Sequence, residues 1–211
     1  MVEQRFILLE AIIMKIINRK KTSKDINDLK RIIFSQEWVL VKDAIDDLGH
    51  IGSRDAVNVL ISLLDNEDSE IRDRAALVLE ELKDNSAVDP LLTSIFKKEN
   101  HYYNGIMVFA LKSLDCSKRL KEVFRILFYE SYVAKMSAEE ILCNQEFEFT
   151  AKDLEDIRSM WNYCRNNPEL YPGMEDESIR FSIQANVDKF LGYLGQWGSD
   201  QSLFRKSSSF A

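Results

Sequence analysis

Proline and glycine are scarce here, three and seven in 211 residues. Both interrupt helices, so their rarity excludes a turn-rich β fold and favours a chain that is mostly helix. Histidine is rarer still: only His50 and His101 occur. The cysteines Cys116, Cys143 and Cys164 are odd in number and show no CxxC spacing. That pattern offers neither a disulfide framework nor a zinc knuckle, and a reducing compartment is the simpler setting. A Gly-rich phosphate loop, GxSxG and HExxH are all missing. Long apolar runs are missing too. The segment FILLEAIIMKII is broken by Glu10 and Lys15, no small-residue cleavage site follows it, and it falls far short of the roughly 20 residues of a membrane span. These absences lead to the expectation of a cytoplasmic, non-enzymatic protein with no catalytic residues, no metal, no cofactor and no membrane partner.

What the sequence does contain is repetition. Leu40, Ala44, Ile45, Leu48, Ile51, Ala56, Val57, Leu60, Ile61 and Leu64 are matched, about 31 residues later, by Ile71, Ala75, Ala76, Leu79, Leu82, Ala87, Val88, Leu91, Leu92 and Ile95. The apolar positions recur at helical spacing, break at a short polar turn (Gly52-Ser53-Arg54, then Lys83-Asp84-Asn85-Ser86), and resume. Each unit therefore reads as a helix, a turn and a second helix. Neither helix can bury its stripe alone, but stacked units bury one continuous core.

The segment IRDRAALVLEELKDNSAVDPLLTSI resembles the short HEAT-like repeat first noted in phycobilisome lyases. It has an apolar residue before arginine (Ile71, Arg72), small residues in the first helix (Ala75, Ala76), and an Ala-x-x-x-Leu-Leu second helix (Ala87, Leu91, Leu92). The preceding copy has Val41 at the arginine position but keeps Leu48-Gly49-x-Ile51-Gly52. The resemblance implies an all-α fold, a right-handed α-solenoid of about five HEAT-like helix pairs. It speaks to fold far more than to function. The His-Glu pairs of iron-dependent HEAT hydroxylases do not occur, since Ile51 follows His50 and Tyr102 follows His101.

The same register extends both ways. Leu9, Ile13 and Ile17, then Ile26, Leu29 and Ile33, place a first repeat from about Arg5. Ser69 is the expected N-cap of the helix that follows Asp68. Met107, Val108, Leu111 and Leu114 with Leu120, Val123, Phe124 and Leu127 make a fourth. A degenerate fifth has Ala138, Ile141 and Leu142, then a capping-box signal at Thr150 and Asp153 opening a helix through Leu154, Ile157, Trp161 and Cys164. A last helix over roughly 178–194 caps the stack. The domain reading is one solenoid over 1–198 and a loosely held tail over 199–211.

Charge is unevenly placed. The chain carries a net −7, with a pI near 5.0. Eleven of its 35 acids but only three of its 28 bases fall between Glu139 and Glu177, so this segment holds the whole negative excess. Acidity of this degree speaks against a nucleic-acid partner of the kind bound by HEAT-like DNA glycosylases. The basic strip Lys15, Arg19, Lys20, Lys21 and Lys24 reads as a solvated helix end. Aromatics are interleaved with the acids, and the candidate partner-binding residues are Glu146, Phe147, Glu148, Phe149, Asp153, Asp156, Tyr163 and Tyr171. Phe147 and Phe149 either pack under the loop or point at a partner. An acidic surface with aromatic anchors suits a basic protein. The functional expectation is a non-enzymatic binder, an immunity protein (antitoxin) that neutralises a basic toxin domain such as a nuclease. The alternatives are an adaptor in a cellular complex, or a lyase- or glycosylase-type enzyme on the same scaffold.

Overall fold

Short polar turns divide the chain into helices that cannot each hide an apolar face alone, and in the computed structural model they alternate between two layers. Residues 25–33, 38–196 and 204–206 are described. The expected first helix of the first repeat and the basic strip near residues 15–24 lie outside them. Helix α1 (Ile26–Ile33) is the second helix of that repeat. Successive pairs follow: α2 (Trp38–Ile51) with α3 (Arg54–Leu63), and α4 (Ser69–Leu82) with α5 (Val88–Ile95). Then come α6 (Gly105–Leu111) with α7 (Leu120–Tyr129), and α8 (Tyr132–Asn144) with α9 (Ala151–Asn166). Helix α10 (Glu177–Leu191) packs on α9 and α8. The first helices of the pairs stack in one layer, α2 on α4, α4 on α6 and α6 on α8; α1 with α3, and α7 with α9, line the other.

Local chemistry sets the boundaries. Ser53 accepts from the Ala56 N–H, Ser131 from the Ala134 N–H and Asp176 from the Ser178 N–H. The capping box at Thr150 and Asp153 is present in both directions. Asp68, not Ser69, caps α4, accepting from the Glu70 N–H at 2.9 Å. Helix α2 stops at Gly52, which takes a positive φ of 57° and donates its N–H back to Leu48 O at 3.0 Å. Arg72 is buried and donates to Asn66 O (2.7 Å) and Glu67 O (2.9 Å), tying down the turn before its own helix.

The repeat positions form the core, from Leu29 through Phe190. Leu40 departs from the expected stripe. It is exposed while Val41 is buried in the first turn of α2, whereas Ala44, Ile45 and Leu48 keep the expected stripe. Gly49 marks the closest approach of α2 and α4: a Cβ there would lie 2.5 Å from Val78 Cγ1. Gly49→Ala is therefore expected to lower stability by about 1–3 kcal/mol, although alanine is the better helix former by about 1 kcal/mol. Urea unfolding of the variant measures the balance.

One short ribbon interrupts the helical pattern. Strand β1 (Phe147–Phe149) pairs antiparallel with β2 (Phe204–Lys206), in the register Phe147↔Lys206, Glu148↔Arg205, Phe149↔Phe204. The tail expected to be loosely held thus contributes a strand at residues 204–206. Its pairing satisfies the backbone groups on the outer edge of β1.

Candidate partner-binding surface

The eight residues singled out by charge and aromaticity do not form one site. Phe147 and Phe149 are 0% and 1% exposed. The period-2 spacing of Phe-Glu-Phe sends both rings to the same face of β1, where they meet Phe190 at centroid distances of 6.0 and 5.8 Å. They belong to the core, which corrects their assignment as partner anchors. Glu148 is half-buried, and Glu146 is exposed beside an open hollow that also takes in Lys83 and Lys112.

Asp153 and Asp156 are already engaged within the chain. Lys121 Nζ lies 3.0 Å from Asp153 and 3.5 Å from Asp156, and Lys152 lies 2.7 Å from Asp156. Burial opposes ionisation of Asp153, but hydrogen bonds from Thr150 and Lys121 outweigh it and hold the carboxyl below its usual range. The hydrogen bond from Lys152 does the same for Asp156. Much of the acid on α9 is thus neutralised locally. Tyr163 and Tyr171 do come together: their rings lie 6.4 Å apart, and Tyr171 in turn lies 4.8 Å from Tyr129. They sit at the far end of α9, about 20 Å along the helix from Phe149.

A different surface is more conspicuous. Tyr102, Tyr103, Phe109, Tyr132, Val133, Met136 and Phe181 are all exposed large apolar residues. They lie on or beside α6, α8 and α10, which are neighbours in the fold. Contacts join α6 to α8 there: a Cβ at Gly105 would be 3.0 Å from Val133 Cγ1, and Lys112 Nζ sits 4.6 Å over the Phe109 ring while pairing with Glu140 at 2.5 Å. Between α8 and α10 runs a groove of about 210 Å³ whose lining includes Tyr132, Met136, Glu139, Ile179 and Ser182. Glu139 is fixed there by hydrogen bonds from Ser182 Oγ and from Asn186 Nδ2, the latter at 3.0 Å. Exposed aromatics gathered on adjacent helices, with carboxylates at the rim, are the composition of a protein-binding patch.

Helix α8 explains how this surface arises. It buries Ala134, Ser137, Ala138, Ile141 and Leu142, most of them small, and turns the larger Tyr132, Val133 and Met136 outward. The spacing of those three, i, i+1 and i+4, is a second apolar stripe. Sequence reasoning followed only the first stripe and missed the patch. Phe109 was hidden in the same way, one position out of register between core residues Val108 and Ala110.

Behind the patch lie two buried ionisable groups. Glu130 receives the Asn104 amide N–H at 2.6 Å and faces His101 Nδ1 at 2.9 Å. Lys135, 3% exposed, donates to Leu127 O (3.0 Å) and Phe128 O (2.7 Å), closing the C-terminus of α7. Burial pushes the Lys135 ammonium down to about 8. The unfolded chain keeps that proton up to 10.5. Between these values the unfolded state binds more protons, so the contribution of Lys135 to stability rises as pH climbs from about 8 to 10.5, by about 3 kcal/mol, against an opposite contribution from Cys116 and Cys164, whose raised pKa values cost stability above about pH 9. The neutral amine still has N–H groups for both carbonyls. Lys135→Met is expected to lack this alkaline gain, which urea titrations at pH 7.5 and 10 compare directly.

Two of the three thiols offer no chemistry at this surface; the third, Cys143, is exposed near the end of α8. Cys116 and Cys164 are buried, and burial pushes their pKa values up to about 12 and about 11. Among the described residues no group of three histidine, cysteine or carboxylate side chains is arranged to hold a metal ion, and no helix is long and apolar enough to cross a membrane.

Comparison with curated proteins finds no match. Residues 27–123 match the family model for HEAT repeats. The matched span runs from α1 into α7 and includes Tyr102, Tyr103 and Phe109 of the patch; α8 and α10 lie beyond it. Repeat pattern, stacked helix pairs and family match agree that residues 27–123 are HEAT-like repeats.

Proposed function

We propose that this chain is a protein-interaction module that works by binding, without catalysis, and that its partner docks on the aromatic patch of α6, α8 and α10. The patch is the observation that carries the reading. Large apolar side chains that stay in water despite an available core are costly to solubility unless a partner covers them. HEAT-like repeats supply the rigid frame, read here as a right-handed solenoid of about five helix pairs of the short type noted in phycobilisome lyases.

The partner is a basic protein. The net charge of −7, and Glu139 at the rim, held by hydrogen bonds from Ser182 and Asn186, support this through electrostatic steering. A small acidic binder of this kind fits the role of a cytoplasmic immunity protein that neutralises a basic toxin domain, a nuclease among the candidates, with neither nucleic acid nor membrane as its own target. The test is affinity capture of the tagged chain from its native cells, with washes at rising salt. One basic protein, released progressively as salt increases, is the expected result. Several cellular subunits held independently of salt would make the chain an adaptor. A clean bait carrying a bound small molecule would favour a lyase- or glycosylase-type enzyme.

A further inference from the structure

We propose that the outer edge of β1 is a strand-docking site, that the chain's own β2 is its resident occupant, and that an extended basic segment of a protein partner takes the place of β2. The inference rests on the protein-binding reading above and names the element of the partner that the reading leaves open. On one side of β1, the Glu148 N–H donates to Ser117 O at 2.8 Å, fastening that edge to the connection between α6 and α7. The observed register then leaves the N–H and C=O groups of Phe147 and Phe149 facing β2. The rings of Phe147 and Phe149 are anchored on Phe190. Strand β1 is therefore fastened by contacts with Ser117 and Phe190 that do not involve β2.

Strand β2 pairs with β1 over only three residues, and a pairing that short is marginal by itself. Its advantage is that it belongs to the same chain, so its local concentration at β1 is high. A partner segment delivered by a chain already docked on the aromatic patch gains a comparable local concentration and can overcome that advantage.

Charge defines what such a segment looks like. Arg205 stands opposite Glu148 in the register, Lys206 follows it, and Glu146 is exposed immediately before β1. The resident strand is basic and the receiving strand acidic. An incoming strand with a basic residue opposite Glu148 reproduces this pattern, with main-chain hydrogen bonds giving affinity and alternate side chains giving selection.

The test uses the full chain carrying Phe204→Pro and Lys206→Pro, which removes the β2 N–H donors that face β1 and leaves β1 itself unaltered. The probe is a fluorescent peptide of residues 201–211, QSLFRKSSSFA, followed by anisotropy. The proline variant is expected to bind it at least tenfold more tightly than the unaltered chain, whose own strand competes. Adding Glu148→Lys to the variant is expected to remove at least tenfold of that gain, with the helical circular dichroism unchanged. Equal binding by the unaltered chain and the proline variant, or indifference to Glu148→Lys, would overturn the proposal. This readout needs no natural partner, so it can fail while docking on the aromatic patch stands, and the reverse.

Discussion

Tyr132→Asp combined with Met136→Asp is expected to weaken binding of the captured partner at least 100-fold, about 2.7 kcal/mol, while leaving the fold intact. Both side chains are more than half exposed and flank the groove between α8 and α10. Interface energy concentrates in a few large side chains near the centre of a patch, and each such anchor is worth about 2 kcal/mol or more on truncation. Aspartate goes further than alanine, because the centre of the patch is apolar and the partner's basic groups face its rim, so a central carboxylate is desolvated away from them. The stability cost is small. Tyr132 opens α8, where an acid near the helix N-terminus is favourable, and exposed substitutions away from special features usually stay within about 0.5 kcal/mol. Tyr163→Asp on α9 serves as the comparison. If the acidic segment between Glu139 and Glu177 were the docking surface, Tyr163 would be the sensitive position and the α8 pair would be tolerated. Isothermal titration of the three proteins against the same partner distinguishes the two surfaces.

Phe124→Ala is expected to cost about 3–5 kcal/mol, the range for removing a buried aromatic ring. Phe124 is fully buried on α7, with its ring 5.3 Å from Phe190 in a T-shaped contact and 5.6 Å from Phe128. Phe190 in turn holds Phe147 and Phe149. Phe124 therefore joins α7 to α10 and, through Phe190, to β1, and its loss opens a cavity at the C-terminal end of the stack. Phe124→Leu keeps most of the volume and is expected to cost less than about 1.5 kcal/mol. Urea unfolding measures both. A Phe124→Ala cost below about 1 kcal/mol would mean that α10 and the ribbon contribute little to the cooperative unit.

These two variants also divide what the sequence displays from what it conceals. The stack was legible because burial enforces periodicity: Ala44, Leu48, Ala75, Leu79, Ala87 and Leu91 occupy matching positions and are all buried. Phe124 could be placed in the fourth repeat for the same reason. The capping box at Thr150 was legible because its chemistry is local. The exposed apolar patch was not, because no periodic constraint acts on residues that face water. Charge composition drew attention to the segment between Glu139 and Glu177, yet composition does not report that Lys121, from α7, reaches Asp153 and Asp156. Nor does it report that alternation turns Phe147 and Phe149 inward. What the sequence did carry was the doubled stripe of α8, in which Tyr132, Val133 and Met136 lie opposite Ala134, Ala138 and Ile141. A helix with large apolar residues on both faces has one face for the core and another to be covered.

The most direct measurement is hydrogen–deuterium exchange of the chain alone and with its captured partner. Docking on the patch requires slower exchange in the segments around residues 101–112, 132–144 and 178–186, with the second-layer helices α3 and α5 unchanged. Protection confined to α3, α5 and α9, with those three segments unaffected, would contradict the assignment of this surface.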